Sequence, residues 1–242
     1  MNGFMEKKHT YRHEIKYLLD ARDALLLRNR LAAVLVRDRH TNETGRYRVR
    51  SLYFDDVKNT DLFSKLAGEE QRKKYRIRYY NDDTTFIRFE KKVKENDVSY
   101  KRAAPLSYQQ ALLLSRGEFD CIAESEDALL REIYCYHREN LLRPAVITDY
   151  DREAFIHPAG NVRVTFDADL RTSLLGTELF NPRLPSIPAV GPGQVVLEVK
   201  YDHFLPSLIS QLLGGTSAKK MSISKFSLCK KYILQNDWEV YS

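Results

Sequence analysis

Residues 72–94, RKKYRIRYYNDDTTFIRFEKKVK, decide the fold of this 242-residue chain. Charged and apolar side chains alternate on both sides of an Asn-Asp-Asp triplet at 81–83, which is a turn signal. Because side chains two apart on a strand point to the same face, the pattern predicts a β-hairpin with strands at about 72–81 and 84–94. One face of the hairpin carries a row of Arg and Lys that Glu90 interrupts.

The same alternation returns in two segments far from the hairpin. Arg12-His-Glu14-Ile-Lys16 lies near the start of the chain and Glu198-Val-Lys200 near its end. Rows of like charge repel across neighbouring strands, so something of opposite sign is expected among them. A single row of this kind is typical of a solvated strand face, but its recurrence in the hairpin and in both further segments predicts a site for a polyanion.

Composition sets only broad limits on function. The 39 Lys and Arg exceed the 33 Asp and Glu by six, so the polyanion prediction rests on placement rather than on total charge. Three cysteines without metal-ligand spacing are expected to be buried, reduced thiols: Cys121, Cys135 and Cys229. The start has no apolar leader and no segment is long and apolar enough to span a membrane. We therefore expect a cytoplasmic protein, with a membrane-protein partner and the oligomeric state left open.

The remaining patterns predict an α+β chain of about eight mostly antiparallel strands in one domain, residues 1–242. Further strands are predicted at about 10–19, 48–54, 98–102, 144–156, 162–169 and 195–201, and helices at about 20–36, 60–67, 107–116, 125–142, 206–213 and 222–236. Ser125 is expected to cap its helix, Pro105 to end its strand, and the proline-rich stretch 176–194 to be a loop.

A sheet closed on itself would remove its edges and enclose the charged rows. The interior would then be a polar tunnel, and the apolar members of the alternation would face outward under the helices: Ile15, Tyr17, Ile77, Phe89, Val93, Val196 and Val199. Nucleic acid fits such a site poorly, because the glutamates would repel a phosphate backbone unless a divalent cation lay between them. No Gly-x4-Gly-Lys-Ser/Thr phosphate loop is present, so arginine side chains would have to hold a triphosphate.

An ordered set of motifs resembles the catalytic domain of the vacuolar transporter chaperone (VTC) polyphosphate polymerases, a family of triphosphate tunnel metalloenzymes in the CYTH-like superfamily. The motifs run from about residue 10 to 230: Arg12-His-Glu14-Ile-Lys16-Tyr, Ser51-Leu-Tyr-Phe-Asp55, Lys74-Tyr-Arg76-Ile-Arg78-Tyr, Phe89-Glu90-Lys91-Lys92, Tyr100-Lys101, Asp149-Tyr-Asp-Arg152-Glu-Ala-Phe, Arg163-Val-Thr-Phe-Asp167, Glu198-Val-Lys200 and Ser224-Lys225-Phe226.

The resemblance implies a mostly antiparallel β-barrel tunnel with helices packed outside and a C-terminal helix near one mouth. It implies catalytic cations at Lys16, Arg76, Arg78, Lys92, Arg152, Arg163 and Lys225, and further substrate-binding cations at Arg12, Lys65, Lys74, Lys101 and Lys200. Glu198 is the implied ligand of Mn²⁺ or Mg²⁺, with Glu14 and Glu90 as orienting partners of neighbouring cations. Lys91 competes with Lys92, and strand parity favours Lys92 because it shares a face with Glu90.

One position departs from the family pattern. Eukaryotic members carry a second lysine three residues before the one that matches Lys225, and this chain has Ser222 there. Lys219 or Lys220 could take over its role.

The resemblance predicts transfer of the γ-phosphate of ATP to a growing polyphosphate chain. Such chemistry depends on positioning and charge neutralisation, and an ionised phosphate nucleophile needs no catalytic base. Hydrolysis of an inorganic or organic triphosphate in the same tunnel is the alternative, and a polyphosphate-binding module without catalysis is a third hypothesis. Nucleic-acid binding ranks last.

Overall fold

The computed structural model describes residues 11–41, 44–174, 176–214 and 220–231. Its strands are β1 (Arg12–Leu19), β2 (Val36–Arg37), β3 (Tyr47–Asp55), β4 (Gln71–Tyr80), β5 (Asp83–Glu95), β6 (Val98–Leu106), β7 (Arg143–His157), β8 (Val162–Ser173), β9 (Ser186–Pro188) and β10 (Val195–Tyr201). Its helices are α1 (Ala21–Ala32), α2 (Thr60–Leu66), α3 (Tyr108–Ser115), α4 (Ala128–Asn140) and α5 (Ser207–Gly214), and residues 225–231 are also helical.

The strands form one antiparallel sheet that closes on itself. Its order is β2-β7-β3-β4-β5-β6-β1-β10-β8-β9, and β7 also pairs with β8. This last pairing completes a ring of eight strands, with the short strands β2 and β9 added beside β7 and β8. The predicted closed, mostly antiparallel sheet of about eight strands in an α+β chain is confirmed.

The hairpin that decides the fold is formed by β4 and β5. Asn81 and Asp82 both have positive φ, 50° and 58°, as a two-residue hairpin turn of the I′ type requires. The register sets Arg76 opposite Glu90 and Lys74 opposite Lys92. The alternation in residues 72–94 therefore predicts both the strands and the face that carries the charge.

Two predicted boundaries are wrong. Pro105 does not end its strand, because β6 continues through Leu106. Beyond Ser99 that strand pairs only with β5, and strands that are paired on one side tolerate proline. Helix α1 ends at Ala32 rather than near residue 36, because Val36 and Arg37 pair with β7.

Smaller differences concern caps and loops. Asp127, not Ser125, caps α4, and its carboxylate accepts a hydrogen bond from the Leu129 amide at 2.7 Å. The predicted loop 176–194 contains the short strand β9. Of the predicted helix 222–236, residues 225–231 are helical, whereas 232–236 and Lys219 lie outside the described residues.

Two apolar layers hold helices against the outer face of the ring. Phe54, Ile77 and Phe89 of the hairpin side form one layer with Ile133 of α4. The other layer joins β1, β8 and β10 to α1 and α5, with Leu27, Val164, Val199 and Ile209 among its buried members. Helices α1, α3, α4 and α5 therefore pack outside the ring as predicted, whereas Leu62 of α2 belongs to a different cluster. None of the helices in the described part of the chain is long and apolar enough to cross a membrane.

A third apolar cluster lies on the inner face of the ring. Val196 belongs to it, so the prediction that this residue faces outward is wrong: it is two residues from Glu198 and shares its face. The helical residues 225–231 close this side of the interior, where the Phe226 ring lies 5.3 Å from the Tyr53 ring and Cys229 is fully buried. The interior is therefore charged in one part and apolar in another, rather than polar throughout.

The prediction that all three cysteines are buried is correct for one of them. Cys229 is buried, Cys121 is half-buried and Cys135 is exposed. Cys135 faces solvent because the buried stripe of α4 is formed by Leu129, Leu130 and Ile133.

The inner cluster predicts a large effect of truncating Phe226. Phe226→Ala should lower the free energy of unfolding by about 3–5 kcal/mol, because it leaves a cavity in a packed cluster. Phe63→Ala is the matched control, since Phe63 is 55% exposed and its loss should cost less than about 0.5 kcal/mol. Equal costs in denaturant titrations would show that residues 225–231 are not fixed to the ring.

Candidate functional site

A cavity of about 820 Å³ lies inside the ring. Fourteen of the fifteen predicted site residues line it: Arg12, Glu14, Lys16, Lys65, Lys74, Arg76, Arg78, Lys92, Lys101, Arg152, Arg163, Glu198, Lys200 and Lys225. The other one, Glu90, is buried behind the lining and pairs with Arg76 and Lys101. The strands bring most of these residues together, and α2 and the C-terminal helical residues add Lys65 and Lys225, while the roles of all of them remain predictions.

Strand parity decides between the two adjacent lysines of β5. Lys92 lines the cavity and pairs with Glu14, whereas Lys91 points outward and pairs with Glu132 of α4. Arg88, in the same row as Lys92, is not part of the lining, and its guanidinium lies 4.7 Å from the centre of the Phe86 ring.

The two arginines of β4 are held in place by hydrogen bonds on the inner face. Arg76 donates to Glu90 at 2.7 Å and to the Tyr53 hydroxyl at 3.0 Å. Arg78 donates to Ser51 Oγ at 2.9 Å and to the Tyr150 hydroxyl at 3.0 Å. Such fixed, planar donors suit phosphate oxygens.

Glu90 is the counter-charge of this arginine pair. Burial would raise the pKa of Glu90, but the positive charges of Arg76 and Arg78 hold it well below its ordinary value. Burial would likewise lower the pKa of Arg76, and Glu90 raises it instead. Both groups are therefore charged across the physiological range.

Asp167 joins two predicted cations from different parts of the chain. Its carboxylate accepts two hydrogen bonds from Arg152, at 2.6 and 2.8 Å, and pairs with Lys225 Nζ at 2.5 Å. Burial would raise the pKa of Asp167, but Arg152 and Lys225 lower it to about 2. Its sequence signal is the alternation Arg163-x-Thr165-x-Asp167, which puts the carboxylate on the inner face.

Arg163 has partners that the sequence patterns do not reveal. It pairs with Asp38 and donates to the Tyr47 hydroxyl at 2.9 Å. Burial would raise the pKa of Asp38, but the His40 amide and Arg163 lower it. Asp38 follows the short strand β2, which lies in a stretch where no strand was predicted.

Two ionised carboxylates meet on β1 and β10. Glu14 and Glu198 lie near each other, where their like charges repel, and Glu198 also pairs with Lys200 at 3.1 Å. Burial would raise the pKa of Glu198, but Lys200 and Lys16 hold it well below its ordinary value. Thr165 lies opposite Glu198, and its buried hydroxyl has no hydrogen-bond partner in the part of the chain that the structure describes. Among the described residues, no group of three or more His, Cys, Asp and Glu could hold a metal ion.

Three lysines converge on three successive residues near the C-terminal helical segment. Lys65 donates to Ser222 Oγ at 2.7 Å, Lys16 to the Ile223 carbonyl at 3.2 Å, and Lys74 to Ser224 Oγ at 2.6 Å. The serine that replaces the family lysine therefore accepts a hydrogen bond from a cavity lysine. Lys220 also lines the cavity.

Two lysines that line the cavity, Lys74 and Lys92, have pKa values below that of an ordinary lysine. Burial, reinforced by the charge of Lys16, lowers the pKa of Lys74 to about 7. Burial also lowers the pKa of Lys92 to about 8, although Glu14 opposes the shift. An arriving anion would supply the missing counter-charge.

Comparisons with known proteins place this geometry in a family. The model of the VTC domain family matches residues 11–233. A search of curated proteins returns no match. The structure is similar to that of HpAC1 from Hippeastrum, described as an adenylyl cyclase candidate with a dominant triphosphatase activity: the TM-score is 0.56 and the identity 14%, over 91% of this chain and 95% of that one. An adenylate cyclase candidate from Bacillus halodurans is similar with a TM-score of 0.46 and 14% identity, over 85% of this chain and 88% of that one.

The buried ion pairs of Asp167 predict a large loss of stability on neutralisation. Asp167→Asn should lower the free energy of unfolding by about 3–5 kcal/mol, because it leaves Arg152 and Lys225 buried without their counter-charge. Asp202→Asn is the matched control, since Asp202 pairs with Arg12 near the surface and should cost about 1 kcal/mol or less. Equal losses in denaturant titrations would contradict the prediction.

The same variant should show a defined pH dependence. Because the folded pKa of Asp167 lies below its unfolded value, its contribution to stability is complete above about pH 4 and disappears as the pH falls towards 2. The stability difference between wild type and Asp167→Asn should therefore shrink over that window.

Lys74 should titrate near neutral pH. In the free protein its amine should lose its proton around pH 7, where an ordinary lysine stays charged to about pH 10.4. Adding tripolyphosphate should raise that pKa, because the anion favours the charged amine. NMR titration of the lysine side chains, with Lys74→Arg for assignment, measures both values. Titration of Lys74 as an ordinary lysine in the free protein, or no rise of its pKa with tripolyphosphate, would refute the prediction.

Proposed function

The chain belongs to the VTC domain family, and on that premise we propose that it is a metal-dependent polyphosphate polymerase. In this proposal residues 1–242 act as one cytoplasmic domain that transfers the γ-phosphate of ATP to a growing polyphosphate chain inside the ring. The observation that carries the proposal is the set of four arginines on the cavity wall, each held by a fixed partner: Arg76, Arg78, Arg152 and Arg163.

The arginines supply the positioning that phosphoryl transfer requires. Carboxylates fix the guanidinium planes of three of them before any ligand arrives, and hydroxyls of Ser51 and Tyr150 fix that of Arg78. Donors fixed in advance stabilise developing charge more effectively than donors that must reorganise. Phosphoryl transfer depends almost entirely on such positioning and charge neutralisation, and the acceptor phosphate is already ionised, so no residue is required to act as a base.

Lysines complete the charge balance around the proposed triphosphate. Lys16 and Lys225 reach the cavity from β1 and from the C-terminal helical segment, where each contacts a carboxylate. Lys74 and Lys92 have lowered pKa values because they are buried, so an anion that binds beside them would favour their charged forms. These lysines would bind the phosphates that the arginines do not reach.

Glu198 and Glu14 are the residues that would hold a divalent cation, Mn²⁺ or Mg²⁺. Both carboxylates are ionised and adjacent, and hard cations prefer oxygen ligands. Two protein carboxylates suffice where phosphate oxygens and water provide the remaining ligands, as is usual for Mg²⁺ with nucleotides. The buried hydroxyl of Thr165 beside Glu198, which has no partner among the residues described, fits such a hydrated site. When bound, the cation neutralises phosphate charge and polarises the phosphoryl oxygens.

Hydrolysis of a short triphosphate is the second candidate, and one feature of the structure favours it. Apolar side chains and the helical residues 225–231 occupy part of the ring interior. A cavity bounded in this way suits a short substrate, which does not have to thread through the ring. A module that binds polyphosphate without catalysis uses the same cations and is the third candidate.

Product length distinguishes the three candidates. Wild-type protein with ATP and Mn²⁺ should yield ADP and polymer that migrates as a ladder on a gel. Orthophosphate without polymer would support the triphosphatase, and tight binding of polyphosphate without ADP would support the binding module.

Removing one fixed arginine tests the assignment of the site. Arg76→Ala should reduce turnover by about 10²–10³-fold, as the loss of one preorganised donor does elsewhere. Arg102→Ala is the matched control, because Arg102 pairs with Glu132 on the outer face and is not part of the cavity wall. Full polymer synthesis by Arg76→Ala would overturn the site.

A further inference from the structure

Two cations face each other at the end of the hairpin opposite its turn. Arg72 lies where β4 begins and Lys94 where β5 ends, and the register sets them directly opposite. Both side chains line the cavity. Like charges directly opposite on neighbouring strands destabilise a sheet, so this pair works against the fold unless an anion joins it.

Neither cation has a counter-charge among the described residues. No carboxylate in that part of the chain lies within 4.0 Å of Arg72 or Lys94, although Glu69 acts on Arg72 and Asp97 and Glu14 act on Lys94 at longer range. Arg72 is only 9% exposed and its guanidinium makes no hydrogen bond to the residues described. Because its guanidinium has no ion-pair partner among the described residues and its side chain lines the cavity, an anion in the cavity would supply the missing counter-charge.

Lys65 of α2 brings a third positive charge to the same place. Burial and the nearby charges of Arg72 and Lys16 lower the pKa of Lys65, and burial and Arg72 do the same to Lys94. The only hydrogen-bond partner of Lys65 Nζ among the described residues is the neutral hydroxyl of Ser222. Three mutually repelling cations thus share one end of the cavity.

This end of the cavity differs in charge and position from the part around Arg76 and Arg78, the arginine centre. Arg76 and Arg78 have fixed partners, Glu90, Tyr53, Ser51 and Tyr150. Arg72 lies four residues before Arg76 and six before Arg78, which corresponds to about 13 and 20 Å along an extended strand. A triphosphate held at Arg76 and Arg78 does not reach that far, whereas a longer phosphate chain does.

We propose that Arg72, Lys94 and Lys65 form a second anion subsite, which binds the phosphates of a linear polyphosphate beyond those held at the arginine centre. The inference rests on the proposed function, since it assumes a phosphate chain at Arg76 and Arg78. The subsite gives the cavity a preference for polyphosphate over a triphosphate. It also provides a path along β4 and β5 for a chain that cannot pass the apolar side of the ring.

The test compares two inorganic probes, tripolyphosphate and long-chain polyphosphate, without ATP or a divalent ion. Calorimetric titration of the double variant Arg72→Ala, Lys94→Ala should show an affinity for the long chain reduced about tenfold or more, because two charge-assisted contacts are lost. The affinity for tripolyphosphate should fall by a much smaller factor. The salt dependence of long-chain binding should become shallower, since fewer cations neutralise the polyanion.

Two further variants separate the subsite from general effects of charge and folding. Lys73→Ala removes a neighbouring positive charge from the exposed outer face and should leave both affinities unchanged. Arg72→Lys keeps the charge and should retain most of the long-chain affinity. The double variant should unfold at a temperature no lower than wild type, because it relieves repulsion rather than breaking an ion pair.

The experiments can contradict the proposed subsite and the proposed polymerase activity independently. Equal losses for both probes in the double variant, or no loss for either, would overturn the subsite. A wild-type protein that binds long chains no tighter than tripolyphosphate would overturn it as well. Length-dependent losses in a protein that makes no polymer from ATP would support the subsite and overturn only the polymerase.

Discussion

Burying a dense set of like charges inside a closed ring is the constraint on which the rest of this structure depends. Ionised groups removed from water are strongly destabilising unless opposite charges lie close by. The inner face meets this requirement with carboxylates from four strands: Glu14, Glu90, Asp167 and Glu198. Because each contacts at least two cations, the charged wall is a network rather than a set of isolated pairs, and its members hold one another in fixed orientations.

The apolar parts of the chain compensate for this charged interior. Two layers of helices cover the outside of the ring, so the strands bury side chains on both faces. A third cluster inside the ring ties the C-terminal helical segment to β3 through Phe226 and Tyr53. The residues that Lys65, Lys16 and Lys74 contact, 222–224, come directly before that segment, so the packing of its helix also positions part of the cavity wall.

The proposed function depends on two groups of cavity cations, those with a fixed partner and those without a nearby carboxylate. Where every arginine has a partner, the site is rigid and suited to stabilising charge that develops during phosphoryl transfer. Where Lys65, Lys94 and Arg72 have no carboxylate within 4.0 Å among the described residues, the site has an excess of positive charge that a ligand can neutralise. The region of paired arginines suits phosphoryl transfer from a triphosphate. The region of cations without a carboxylate partner suits the binding of a longer phosphate chain. Membership of the VTC domain family is consistent with both.

The sequence by itself determined which side chains share a face. Strand alternation has a period of two, so the rows in residues 72–94 and around Glu198 identified part of the charged cavity wall and selected Lys92 over Lys91. Only the tertiary structure decided which carboxylate neutralises which cation, and which cations have none. Arg163 and Asp38 are 125 residues apart, and the closure of the ring brings them together. Local periodicity carries no information about such pairs, because they depend on strand order and register.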